Sequence, residues 1–169
     1  LLQRVATVPG LERIRFLTGH PHDMQPRLIE AIGAEPRACP WLHVPAQSGS
    51  DRVLRRMKRR YRRADYLAMV ALARERIPEV AFSGDFIVGF PGETDADFEQ
   101  TLDLLRQVRY DTVFAFKYSE RPGVPAAKLA DDVPLAVKKA RLAALLAAQE
   151  AVWSELAAAQ VGATWEAVV

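Results

Sequence analysis

A carboxylate in the middle of an apolar strand and an amide at the end of another are the residues best suited to hold a polar ligand. Asp85 lies within VAFSGDFIV (80–88). The strand period puts Val80, Phe82, Phe86 and Val88 on one face and Ala81, Ser83, Asp85 and Ile87 on the other. An ionised carboxylate withdrawn from water costs on the order of several kcal/mol unless a basic or hydroxyl group meets it. Asp85 therefore demands a partner, either a ligand or a structural salt bridge. Gln47 closes WLHVPAQ (41–47) on the face of Trp41, His43 and Pro45. Its amide can bind ligand hydroxyls or simply hold a turn, and His43 is a weaker candidate of the same kind.

Other features narrow the chemistry. Gly89-Phe90-Pro91-Gly92-Glu93-Thr94 brings flexible backbone to a helix start, where anions bind, but it lacks the Lys-Ser/Thr of a phosphate-binding P-loop. A nucleotide triphosphatase is disfavoured, and a tight strand-to-helix turn explains the same glycines. RVLRRMKRRYRR (52–63) is the densest basic stretch in a chain whose net charge is only +2. Polyanion affinity must therefore come from clustering, with Arg60, Arg62 and Arg63 as candidate phosphate contacts and a solvated helix face as the competing reading. Val53, Leu54 and Met57 within it have the spacing of core positions. Cys39 is the only cysteine among 169 residues. It excludes a disulfide framework and any iron–sulfur or zinc site built from several thiolates of this chain, so no metal ligands are expected here. A reducing compartment, the cytoplasm, is the expected location.

These residues need a scaffold, and the chain alternates strand and helix patterns. Strands are expected over Arg13–Thr18, Trp41–Gln47, Val80–Val88 and Thr112–Tyr118. Helices are expected over Asp23–Ile32 with Gly33 as a stop, from the Ser50 cap through Arg59, over Ala64–Ile77, and after the Thr94–Asp97 capping box. Such alternation implies an α/β fold with parallel strands and right-handed crossovers, either a doubly wound sheet or an arc of a barrel. In both, ligands gather at the carboxyl ends of the strands, which here bear Gly19-His20, Gln47-Ser48-Gly49, Gly89–Glu93 and Tyr118-Ser119. One long helical pattern covers Pro134–Gln160, and TWEAVV (164–169) reads as a further strand. The first ten residues carry no signal-peptide pattern, no apolar run approaches the roughly 18 residues of a membrane span, and both ends look cut.

Three stretches in order, HVPAQSGSDRVLRRMKRRY (43–61), SGDFIVGFPGETDADFEQT (83–101) and FKYSERPGVPAAKLADDVP (116–134), resemble the MiaB-type tRNA methylthiotransferases of the radical S-adenosylmethionine (SAM) superfamily. HPHDM (20–24) is similar to the family's Ser-His-Pro segment, with Gly19 where the family has serine. The resemblance implies a partial TIM-like radical SAM barrel over 1–133, a linker helix over 134–162 and the first strand of a TRAM β-barrel over 163–169. It implies SAM as cofactor, contacted by Gln47 at the ribose, by Arg59 at the carboxylate and by Asp85, with Gly89 and Gly92 letting backbone approach it. It also implies [4Fe–4S] clusters ligated by upstream cysteines, so these residues alone hold no catalytic group and are expected to be inactive. The implied reaction is methylthiolation at C2 of N6-isopentenyladenosine at tRNA position 37, with the tRNA anticodon arm and a flavodoxin-type electron donor as partners and no membrane. The sister enzyme acting on a ribosomal-protein aspartate usually carries Gln-His-Ala-Ser where this chain has Gln47-Ser48-Gly49-Ser50. A threonylcarbamoyl-adenosine methylthiotransferase is a second rival for the substrate, and a noncatalytic RNA-binding piece is a rival of another class.

Overall fold

The computed structural model describes residues 1–164 apart from Phe16 and Thr18. Its elements are α1 (Leu2–Ala6), α2 (Pro26–Gly33), β1 (Trp41–His43), α3 (Asp51–Arg56), α4 (Arg63–Arg76), β2 (Ala81–Val88), α5 (Asp95–Val108), β3 (Thr112–Lys117) and α6 (Leu135–Ala159). The strands form one parallel sheet in the order β1-β2-β3, with Leu42 opposite Phe82 and Asp85 opposite Phe114. Parallel neighbours require crossovers, and helices α3 to α5 provide them. The expected strand at Arg13–Thr18 is represented among the described residues by a single bridge, Ile14 to Ala38. Of the expected TRAM strand, residues 165–169 lie outside the described residues, and Ala163 and Thr164 belong to no regular element.

Burial follows the strand alternation. Leu42, Phe82, Phe86 and Val88 are at most 1% exposed and pack with Ile29, Tyr66, Val70, Leu105 and Tyr110. The opposite face bears Asp85 and Ile87 of β2 and is open, leaving Phe114 and Phe116 of β3 half exposed. Two buried phenols fasten the core to β1's exit. The Tyr66 hydroxyl donates to the Val44 carbonyl at 2.8 Å and accepts from the Tyr110 hydroxyl at 2.9 Å. Burial raises the pKa of both tyrosines, so both stay neutral. Tyr66→Phe strands a buried carbonyl and a buried hydroxyl, and its expected cost is about 1–3 kcal/mol. Urea denaturation midpoints, read with an unchanged m-value, measure it.

The caps of α3 and α5 stand where the sequence signals place them, whereas α2, expected from Asp23, starts at Pro26. The Ser50 hydroxyl accepts from the Val53 N–H, and Thr94 and Asp97 exchange the two bonds of a capping box. Helix α3, expected to reach Arg59, stops at Arg56. Lys58 adopts the left-handed conformation at φ 58°, its N–H bonds the Arg55 carbonyl, and the Arg59 N–H bonds the Leu54 carbonyl at 2.9 Å. These two bonds make a Schellman closure, usually built on glycine, and they turn Arg59 off the helix axis. Gly49 permits a different close approach, because a Cβ there would stand 2.2 Å from the Gln100 carbonyl oxygen.

Helix α6 lies within the stretch 134–162 expected to be helical, and it packs as part of the same core. Leu145 and Val152 join the main cluster, and the Gln149 amide donates to the Tyr110 carbonyl at 2.7 Å. Lys138 reaches both Asp131 carboxylate oxygens at 2.6 Å, and Arg141 pairs with Glu93 at 2.9 Å and with Asp95 at 2.7 Å. By length and apolar composition alone this 25-residue helix could cross a membrane, contrary to the expectation that no segment qualifies. Here it lies against β3 and α5 and turns Lys138 and Arg141 into buried ion pairs.

Candidate functional site

The sequence singles out residues that the sheet gathers at its carboxyl end. Gln47 was expected to close β1, but regular pairing ends at His43, and Gln47 returns to the sheet as an isolated bridge to Phe86. It is left-handed at φ 64°, a costly conformation for a side-chain-bearing residue. Two backbone bonds hold it there: its N–H donates to the Asp85 carbonyl at 2.7 Å and its carbonyl accepts from the Ile87 N–H at 2.9 Å. The residue is 8% exposed, and its amide makes no side-chain hydrogen bond among the described residues. A polar group clamped beside Asp85 and Ile87 with its own valence unused is suited to a ligand.

Asp85 has found the partner that its position requires. His43 Nε2 lies 3.5 Å from an Asp85 carboxylate oxygen, while Nδ1 is 2.9 Å from the Ser83 hydroxyl. Trp41 stacks on the His43 ring, Arg15 lies 4.0 Å over the Trp41 ring, and Phe114 meets His43 edge-on. These residues, with Leu17, line a cavity of about 510 Å³ on the open face of the sheet. The Asp85–His43 contact is long and 29% of the Asp85 side chain is exposed, so the carboxylate keeps acceptor capacity for a hydroxyl or an ammonium group.

Arg59 faces a second cavity, of about 730 Å³, whose wall includes Ile87, the next residue after Asp85 on that face. Its guanidinium forms no ion pair or hydrogen bond among the described residues. His20 is nearby, and burial followed by the Arg59 charge holds it below its ordinary pKa. Gln47, Asp85 and Arg59 are thus brought to one end of the sheet.

The glycine turn, expected to lend backbone to a cofactor, is closely packed within the chain. Gly89 is left-handed at φ 69°, and a Cβ there would lie 2.4 Å from Lys138 Cγ. Gly92 packs its Cα against the Arg56 guanidinium. The turn's backbone is also engaged: the Gly89 N–H donates to Glu93, the Gly92 N–H to Asp132, and the Pro91 and Gly92 carbonyls accept from Arg56 and Arg52. Left-handed backbone, at φ 69° and 78°, and close packing both call for glycine at these positions.

The basic stretch divides in a similar way. Arg63, expected at RNA phosphates, pairs its guanidinium with Asp103, and its N–H donates to Asp51 at 2.7 Å. Arg60 and Arg62 remain exposed, without side-chain partners among the described residues. Two acids escaped sequence reasoning. Glu93 is buried with one oxygen unpartnered, and burial raises its pKa against the pull of the Gly89 N–H and Arg141. Asp97, expected only as a cap, collects bonds from Ser50, Arg52 and Thr94. The pattern of a glycine turn followed by two acids was the available signal for them.

A metal cluster finds no seat among these side chains. The chain has one cysteine, and the described residues contain no grouping of three or more His, Cys, Asp or Glu that could hold a metal. The side chains of Arg59, Gln47 and Asp85 are of the types that pair with a carboxylate, with hydroxyls and with an ammonium group, and Arg59 and Asp85 line separate cavities.

The radical SAM superfamily profile matches residues 1–105. Curated relatives named tRNA-2-methylthio-N(6)-dimethylallyladenosine synthase include that of Citrifermentans bemidjiense, 55% identical over 150 residues, covering 89% of this chain and 34% of the relative. Those of Methylococcus capsulatus and Desulfitobacterium hafniense are 50% and 47% identical over all 169 residues, covering 37% and 38% of the relatives. The chain therefore spans about a third of the length of these proteins. Among solved structures, coproporphyrinogen III oxidase from Escherichia coli, described as a radical SAM enzyme, superposes with a TM-score of 0.60 at 23% identity, over 76% of this chain and 31% of that one. That likeness concerns the fold. With a parallel sheet flanked by helices and with the profile matching residues 1–105 of 169, the chain belongs to the radical SAM superfamily.

Proposed function

We propose that this chain is the SAM-holding part of an enzyme that methylthiolates N6-dimethylallyladenosine in tRNA. The observation that carries the reading is the unpaired Arg59 guanidinium at a cavity walled by Ile87, whose N–H binds the Gln47 carbonyl, in a chain about half identical to synthases of that name. Arg59 holds the SAM carboxylate, the Gln47 amide meets ribose hydroxyls, and Asp85, steadied by His43, accepts from a hydroxyl or the ammonium. Bound with a reduced [4Fe–4S] cluster, SAM supplies radical chemistry. The cluster's thiolates come from outside these residues, and a flavodoxin-type protein is the proposed electron donor. The chain's own work is to orient and to exclude water: left-handed Gln47 is pinned to β2, so its amide needs little reorganisation on binding.

The names of the relatives and the Gln47-Ser48-Gly49-Ser50 segment favour tRNA over a ribosomal-protein aspartate. Nucleoside analysis of tRNA from a strain deleted for the gene tests this. Loss of the 2-methylthio nucleoside, restored by the wild-type gene, is expected; an unchanged nucleoside profile rejects the substrate.

A further inference from the structure

The 730 Å³ cavity has a rim unlike the rest of the surface. Arg56, Lys58, Arg59, Lys117 and Arg121 line it, and no carboxylate does. They come from the last residue of α3 and the turn after it, the last residue of β3 and the loop beyond it. Lys58, Arg59, Lys117 and Arg121 make no ion pair or side-chain hydrogen bond among the described residues. Arg56 gives only its Nε, to the Pro91 carbonyl. The neighbouring acids are otherwise placed, with Asp131 holding Lys138 and Glu120 lining an adjacent cavity. Like charges gathered without counter-charges repel, and the arrangement raises the local concentration of anions. Lys58 occupies the left-handed closing position of α3, where glycine is usual, so backbone strain is spent at the point that presents this cation.

Inside the rim the wall is apolar, with Met57, Phe90, Phe116, Val124 and Leu129. Phe116 is 56% and Val124 42% exposed, so both are available to a ligand. A cationic ring around an apolar floor matches a nucleic acid that offers backbone phosphates and one unstacked base carrying an aliphatic group. A free nucleoside would leave the cations unused, and a regular duplex would leave the floor empty.

We propose that Lys58, Lys117 and Arg121 form a phosphate track around this cavity, and that Phe116 and Val124 receive the alkyl-bearing base of an RNA loop. The assignment rests on the tRNA reading above and moves the contact from Arg60, Arg62 and Arg63 to the cavity mouth. Arg59 stays with the SAM carboxylate on the Ile87 side.

The test is binding of an anticodon-arm RNA hairpin, with and without N6-dimethylallyl on its target adenosine, to a full-length protein containing this chain, followed by fluorescence anisotropy over a salt series. Each lost single-strand phosphate contact lowers the salt slope by about 0.7. The Lys58→Gln, Lys117→Gln, Arg121→Gln triple variant is expected to bind at least about tenfold more weakly with a slope smaller by about 2. Arg60→Gln, Arg62→Gln should change much less. The alkylated hairpin should bind more tightly than the plain one, and Phe116→Ala, Val124→Ala should erase that difference. If the triple variant unfolds, Lys117→Gln and Arg121→Gln are read singly, each lowering the slope by about 0.7. An unchanged slope in the cavity variants alongside a loss in Arg60→Gln, Arg62→Gln overturns the track and leaves the tRNA reading standing. Equal binding of the two hairpins by wild type overturns the apolar subsite. Wild type that binds SAM but neither hairpin overturns the tRNA reading and the track with it.

Discussion

Asp97→Ala is expected to cost about 3–5 kcal/mol of stability, the range for breaking a buried, hydrogen-bonded charge pair. The carboxylate is 4% exposed and accepts from the Ser50 hydroxyl at 2.6 Å, from the Thr94 N–H and hydroxyl at 2.8 and 2.6 Å, and from the Arg52 guanidinium. One side chain therefore caps α5 and fixes the residue that caps α3. Its removal takes away the acceptor of the Thr94 N–H at the start of α5 and leaves the Ser50 hydroxyl buried without an acceptor. Arg52 is 43% exposed and regains water, which places the loss toward the lower end of the range. Burial by itself pushes the Asp97 pKa up, but the bonds from Arg52, Ser50 and Thr94 outweigh it and leave the carboxyl well below its ordinary value of 3.8. A depressed folded-state pKa adds stability that is complete above the unfolded value and is lost as pH falls toward the folded one. Wild type should therefore lose stability below about pH 4, and Asp97→Asn should lack that component. Urea midpoints at pH 7 and pH 3 decide; a variant that keeps the wild-type acid response shows that other carboxylates dominate it.

Arg59→Gln is expected to weaken SAM binding by roughly 10- to 100-fold. A charge-assisted bond to a carboxylate is worth about 1.5–3 kcal/mol, and about 1.4 kcal/mol is a factor of ten. Stability should move by less than about 0.5 kcal/mol, because the Arg59 guanidinium has no internal partner among the described residues. Isothermal titration of a full-length protein containing this chain with SAM gives the affinity, and a thermal melt gives the stability. Arg59→Lys, which keeps the charge and loses the fork, should fall between wild type and Arg59→Gln. Wild-type affinity in Arg59→Gln removes the carboxylate assignment. Arg63 is the informative contrast, since its guanidinium already pairs with Asp103 and its substitution should register in stability.

The parallel sheet was legible because VAFSGDFIV declares its two faces by alternation alone, and the structure buries Phe82 and Phe86 while leaving Asp85 on the open side. The caps at Ser50 and Thr94 were legible for a similar reason, each depending on residues within one helical turn. What escaped depends on contacts distant in sequence. Nothing near Lys58 announces a left-handed closure, since the usual glycine is missing. Lys117 and Arg121 join Lys58 only once β3 is laid beside β2. Lys138 and Arg141 look like solvated charges on an Ala- and Leu-rich helix until Asp131 and Glu93 are seen to meet them.

Those last two contacts make α6 a lever. Lys138 fills the space above Gly89, and Arg141, one turn further along the same helical face, grips Glu93 and its carbonyl, so the helix holds both ends of one five-residue turn. A slide or roll of α6 cannot move one grip without the other. The helix extends roughly 37 Å at 1.5 Å per residue, so a load applied near Ala159 is transmitted along a stiff rod to the turn that ends β2.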